Sequence, residues 1–157
     1  MKKLAIQSSN ISRQLVLYFL SRNVDVSEFS SDIDKNDYDL IFYDDYRGEL
    51  ADNILIVHES LLPSFPECNS VENAFSFGVK ISGVTISSNF GIVAQYPVFL
   101  SEGMHFDEFR TEILKAKYKL SKMVIENILE DRFVDYSSIF ADNGNKNCNC
   151  TNCKGCH

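Results

Sequence analysis

Four cysteines and a histidine close the chain. In "NCNCTNCKGCH" the spacing is C-x-C-x2-C-x2-C, formed by Cys148, Cys150, Cys153 and Cys156, and His157 follows. A tetrahedral zinc site needs four soft ligands that converge on one ion at about 2.3 Å. Steps of two and three residues let a short chain wrap an ion that tightly. Gly155 and the neighbouring Asn147, Asn149 and Asn152 tolerate the positive φ angles such wrapping demands. Lys154 offsets part of a tetrathiolate's charge. One zinc suits four ligands packed this closely. An iron–sulfur cluster is the other candidate, since C-x2-C-x2-C resembles part of a ferredoxin run, without its later Cys-Pro. The bland readings are a thiol tail with no metal, or one oxidised into incidental disulfides; a separate reading makes the tail another enzyme's substrate, with the domain as its handle. Cys68 stands apart and reads as a small core or loop residue.

The rest of the chain limits what surrounds this tail. Its formal net charge is −7 and its isoelectric point is near 4.9. Phosphate-backbone binding needs clustered Lys and Arg, so nucleic acid is excluded as a partner. The densest basic run, Lys115, Lys117, Lys119 and Lys122, lies in an amphipathic segment and reads as a solvated helix face. Polar residues interrupt "MKKLAIQSSNISRQ" early, so it is not a signal peptide. No apolar run approaches the ~20 residues of a membrane span. A cytoplasmic location is expected, and there close-packed thiols are metal or redox ligands before they are disulfides.

The elements that must position any site read as an α/β pattern. At 45% hydrophobic residues, with twelve Phe and seven Tyr, the chain can fill a core. "KLAIQ" reads as a strand and "SRQLVLYFLSR" as a helix with Ser12 as N-cap; "DVSEF" reads as a second strand. "YDLIFYDD" and "NILIVHES" are continuous apolar runs, the pattern of buried parallel strands. "SVENAFSFG" predicts a short helix with Ser70 as N-cap and Gly78 as C-cap. "VKISGVTISS" and "GIVAQYPVFL" predict a hairpin about "SNFG". A long amphipathic helix follows, with Phe106, Phe109, Ile113, Leu120, Val124 and Ile128 as its apolar stripe. The expected organisation is a domain over 1–140, a breaker-rich linker over 141–147, and the tail over 148–157.

Two blocks of this pattern resemble the folate-dependent formyltransferases, and among them the glycinamide ribonucleotide transformylases. His58, Ser60, Leu61, Leu62 and Pro63 match the family's Asn-x-His-Pro-Ser-Leu-Leu-Pro signature. Gly78, Val79, Lys80, Gly83 and Thr85 match its following Gly-Val-Lys-x-x-Gly-x-Thr strand. "IVAQYPVFL" and "FRTEILKAKYKLSKMVIENIL" look like the next strand and the C-terminal helix, so the likeness covers about 37–133. The resemblance implies a Rossmann-like fold, shortened here, whose mostly parallel sheet ends in a β-hairpin and a long helix. It also implies transfer of a formyl group from 10-formyltetrahydrofolate to an amine, with His58 as catalytic residue. Ser60, Leu61, Leu62 and Pro63 would contact substrate, and Ser8 and Ser9 stand where the family cradles an anion.

The departures define the expectation further. The family chemistry uses an Asn donor for the developing oxyanion, the His, and a later Asp. Of these only His58 is present. Ile56 replaces the Asn, Glu59 replaces the Pro after the His, and the Asp-bearing loop is reduced to "SNFG". The anion-cradling turn reads "IQSSNISRQL", without glycine, and Asp44 and Asp45 stand where the folate loop is small and apolar. Only 57 residues precede His58, so a strand–helix unit is missing relative to the family. The sequence therefore predicts a pseudoenzyme of this family that binds a small-molecule ligand or a protein partner. An active formyltransferase using His58 is the first alternative, and a metal-handling or iron–sulfur protein with the domain as carrier is the second. A shortened sheet exposes an edge, which allows a homodimer.

Overall fold

The computed structural model describes residues 1–44 and 46–132. The order is β1 (Lys3–Gln7), α1 (Ser12–Ser21), β2 (Asp25–Phe29), β3 (Leu40–Asp44), β4 (Ile54–His58), α2 (Ser70–Phe77), β5 (Ile81–Ser88), β6 (Gly91–Phe99) and α3 (Phe106–Leu129). These strands form one sheet in the order β2-β1-β3-β4-β5-β6. The first four run parallel, β5 pairs antiparallel with β4, and β6 pairs antiparallel with β5 as the predicted hairpin.

The two faces of the sheet are covered differently. On one, Leu4, Ile6, Phe42, Leu55 and Val57 pack against Leu15 and Phe19 of α1 and Ile113, Leu120 and Val124 of α3. That cluster is the main core. On the other, Ala5, Ile41, Tyr43, Ile54 and Ile56 are covered by Ile33, Tyr38, Tyr46, Leu50 and Ala51. The covering residues come from the connections 30–39 and 45–53, which contain only a 3₁₀ turn at Lys35–Asp37 among the described residues. Loops thus stand where a doubly wound fold places helices.

Both serines predicted as N-caps are displaced by one residue. Ile11 and Asn69 hold the N-cap positions, and Ser12 and Ser70 open the helices themselves. Their hydroxyls serve longer-range contacts: Ser12 bonds to Glu28, and Ser70 donates to the Glu59 carbonyl at 3.0 Å. Gly78 ends α2 at φ 78°, the left-handed conformation that favours glycine. The predicted hairpin is present, with Ser88 paired to Gly91 across the two-residue turn at Asn89 and Phe90. The tail cysteines, His157 and the segment from Phe133 onward lie outside the described residues.

Candidate functional site

The parallel strands end at one edge of the sheet, and β1 there has neighbours on both sides: β2 and β3. In open α/β sheets this edge is where ligands bind. Gln7, Asp44 and His58 are the last residues of β1, β3 and β4. The Gln7 side chain accepts the Asp44 N–H at 2.9 Å and joins the first two ends.

At the centre of the edge is a residue that the sequence reading misplaced. Lys117 was expected on a solvated face with Lys115, Lys119 and Lys122; it is 1% exposed. Its Nζ donates to Asp44 Oδ2 at 2.6 Å, to Glu59 Oε1 at 2.9 Å and to Asn10 Oδ1 at 3.2 Å. All three donors of the ammonium are thereby used. One side chain on α3 ties together the β1–α1 turn, the end of β3 and the residue after β4. The signal was present, because Lys117 falls four residues after Ile113 and three before Leu120, on the apolar stripe. A buried charge on a core stripe requires an opposite charge. Glu59 supplies part of it, and Asp44 the rest.

His58 is half-buried, and its Nε2 stands 3.3 Å from the Ser87 hydroxyl. Two residues earlier, Ile56 is 4% exposed and packs in the small apolar cluster with Ile41 and Ile54. It offers no side-chain N–H at the signature's donor position.

The signature segment after His58 is pinned by β5 and β6. Thr85 Oγ1 donates to the Ser60 carbonyl at 2.7 Å and accepts the Leu62 N–H at 3.0 Å. Gln95 Nε2 donates to the Leu62 carbonyl and to Thr85 Oγ1, both at 3.0 Å. The Leu62–Pro63 peptide is cis. Gly83 permits the close approach of this segment, since a Cβ there would collide with the Tyr96 carbonyl and meet Leu61 at 2.8 Å. The matched Gly83 and Thr85 therefore position the His58 loop. Ser60 is 1% exposed, and its own hydroxyl has no partner among the described residues.

The serines that stand at the anion turn meet a carboxylate of the chain itself. Ser8 and Ser12 place their hydroxyls 3.1 and 2.6 Å from Glu28 Oε1, and the Ser9 hydroxyl accepts the Ile11 N–H at 3.4 Å. A carboxylate at a helix N-terminus is favourable, and Glu28 fills that role here.

Between these groups lies a cavity of about 210 Å³. His58, Glu59, Asp44, Lys117 and Ser60 line it, with Glu67 and Cys68 at the exposed rim. Cys68 is a loop residue whose sulfur accepts an N–H from Arg47 at 3.1 Å. The cavity is smaller than the roughly 300–1,000 Å³ that encloses a drug-sized ligand. The connection where the resemblance places folate turns Leu50 and Ala51 inward and stacks Tyr46 on Tyr43 at 4.2 Å. Its apolar groups are thus packed against the chain itself. Among the described residues no cluster of His, Cys, Asp or Glu is placed to hold a metal, and no helix is long and apolar enough to cross a membrane.

This fold is similar to that of solved formyltransferases. The solved phosphoribosylglycinamide formyltransferase from Streptococcus pneumoniae TIGR4 superposes with TM-score 0.63 and 23% identity, over 82% of this chain and 99% of that one. A formyltransferase from Anoxybacillus kamchatkensis, solved with a UDP-sugar and tetrahydrofolate, gives TM-score 0.66 and 19% identity over 80% of this chain and 76% of its own. Phosphoribosylglycinamide formyltransferase of Bacillus subtilis (strain 168) is 32% identical over 82 residues, 48% of this chain. That match spans 42% of the Bacillus protein, less than half its length. No family model matches the chain. The fold is therefore similar to that of solved formyltransferases, and over those 82 residues the sequence is similar to a phosphoribosylglycinamide formyltransferase.

Proposed function

We propose that this chain is a formyltransferase-fold domain that binds a small polar ligand at the carboxyl edge of its sheet and no longer transfers formyl groups. The observation that carries the reading is Ile56, buried where the family chemistry needs an oxyanion donor. Loss of one such donor costs about 10²–10³ in rate. The turn between β5 and β6, reduced to Asn89 and Phe90, removes the loop that the resemblance assigns to an Asp. The cavity size and the inward packing of the 45–53 connection support loss of folate binding. His58, with Ser87 beside it, then serves to bind and orient a ligand through its ring nitrogen. Consumption of 10-formyltetrahydrofolate, followed by absorbance with a panel of amines, tests this. The expected result is the same background rate for wild type and His58→Ala; a rate that falls in His58→Ala would establish the active formyltransferase instead.

The tail carries a second element of the proposal. The spacing of Cys148, Cys150, Cys153 and Cys156, with His157 beside them, favours a bound zinc or an iron–sulfur cluster. Metal and sulfide analysis of protein purified without oxygen distinguishes the two. Absence of both would remove the ligand role of these residues.

A further inference from the structure

We propose that the groove between α3 and β6 is a docking surface for the chain's own segment 133–140, "FVDYSSIF". Two cavities of about 420 and 250 Å³ adjoin there and share Tyr96 and Lys119. Pro97, Val98, Met104, Leu120 and Met123 are among their walls. β6 is the last strand of the sheet, and Phe99 on it is 65% exposed. An apolar groove beside an edge strand is a surface that folded chains cover. The groove shares no lining residue with the His58 cavity.

The path of the chain names the occupant. α3 stops at a Schellman motif. The Asp131 N–H bonds to the Ile128 carbonyl at 3.1 Å and the Arg132 N–H to the Asn127 carbonyl at 2.8 Å, with Asp131 at φ 53°. The chain therefore leaves the helix axis at Arg132, where the described residues end. Phe133, Val134, Tyr136, Ile139 and Phe140 come next, an apolar set whose burial is favourable. Lys119 precedes Arg132 by thirteen residues, which places it about 20 Å back along the helix. Eight residues span about 26 Å when extended, enough to reach it.

Charge favours the same groove. Lys119 and Lys122 stand over the Tyr96 and Tyr18 rings, 5.1 and 4.9 Å from the centroids, and neither holds a carboxylate among the described residues. Asp135 brings one within the segment. A second groove at the end of α3, lined by Met1, Lys2, Phe19 and Arg22, is the poorer match. Its Lys2 and Arg22 are already paired with Asp131 and Glu126.

The chain's three methionines report on both grooves: Met104 and Met123 line the first, and Met1 the second. The test is NMR of the full chain with isotopically labelled methionine methyl groups. Wild type is compared with Tyr136→Ala, Phe140→Ala and Asp135→Lys over a range of protein concentrations, and circular dichroism checks that each variant is folded. The Met104 and Met123 resonances are expected to move in the variants while Met1 stays in place, at every concentration. Met104 and Met123 unmoved by all three substitutions would overturn the inference, as would movement of Met1 alone. Shifts that vanish on dilution would overturn it too, and would make a second copy of the chain the occupant.

Discussion

Replacing Lys117 with Met tests the centre of the site. The substitution keeps most of the buried stem and removes the charge. Asp44 and Glu59 would then face each other across the edge of the sheet, each having lost a bond of 2.6 or 2.9 Å. Breaking a buried ion pair by deleting one partner costs about 3–5 kcal/mol. Asp44 and Glu59 retain 23% and 28% exposure, so water relieves part of this. The low end, about 3 kcal/mol, is the expected loss at pH 7. For a chain of this size that lowers Tm by about 10 °C. The assay is thermal unfolding followed by circular dichroism at pH 7. Adding Asp44→Asn and Glu59→Gln to the Met variant removes the stranded charges and should recover most of the loss at pH 7. A Lys117→Met protein with wild-type Tm at pH 7 would refute the reasoning, because a buried ammonium in three bonds cannot be that cheap to remove.

Four further outcomes follow from the same geometry. Gly83→Ala drives a Cβ into the Tyr96 carbonyl on β6, and denaturant unfolding should show a loss of about 1–3 kcal/mol. Thr85→Val strands the Leu62 N–H and the Ser60 carbonyl, at a cost of about 1–3 kcal/mol, and should broaden the His58 ring resonance as its loop loosens. Burial first, and then the hydrogen bond to Glu126, raises the Tyr18 pKa above its ordinary value. A raised folded value means that the unfolded chain loses this proton first. The contribution is therefore complete below about pH 10 and is lost as pH rises beyond it, and Tyr18→Phe should flatten that alkaline decline. Deleting residues 141–157 should abolish metal loading and leave Tm unchanged, read by metal analysis and calorimetry; a large fall in Tm would show that the tail is part of the domain.

The fold was legible wherever apolar pattern decides structure. "LIFYD" and "ILIVH" are continuous apolar runs because both faces of β3 and β4 are covered, and they read as buried strands. The hairpin and α3 followed from turn chemistry and period. The site was only half legible. His58 and Ile56 were found because a motif fixes their places. Lys117 was missed because it was read with its sequence neighbours Lys115 and Lys119 and not with Ile113 and Leu120, its neighbours on the helix face. The engagement of Glu28 with Ser8 and Ser12 joins residues 16 and 20 positions apart through strand pairing. No local pattern announces that contact. The caps at Ser12 and Ser70 failed for a related reason: each hydroxyl found a tertiary partner, Glu28 or the Glu59 carbonyl, in place of its own helix end.

The most direct test of the central claim is a single-turnover experiment. Protein in excess over 10-formyltetrahydrofolate carrying a labelled formyl group is mixed with the amine panel, and label in amide product is counted for wild type and His58→Ala. No product above the protein-free background is expected in either sample. Labelled amide that forms with wild type and disappears with His58→Ala would contradict it, and would mean that the chemistry proceeds with an isoleucine where the oxyanion donor belongs.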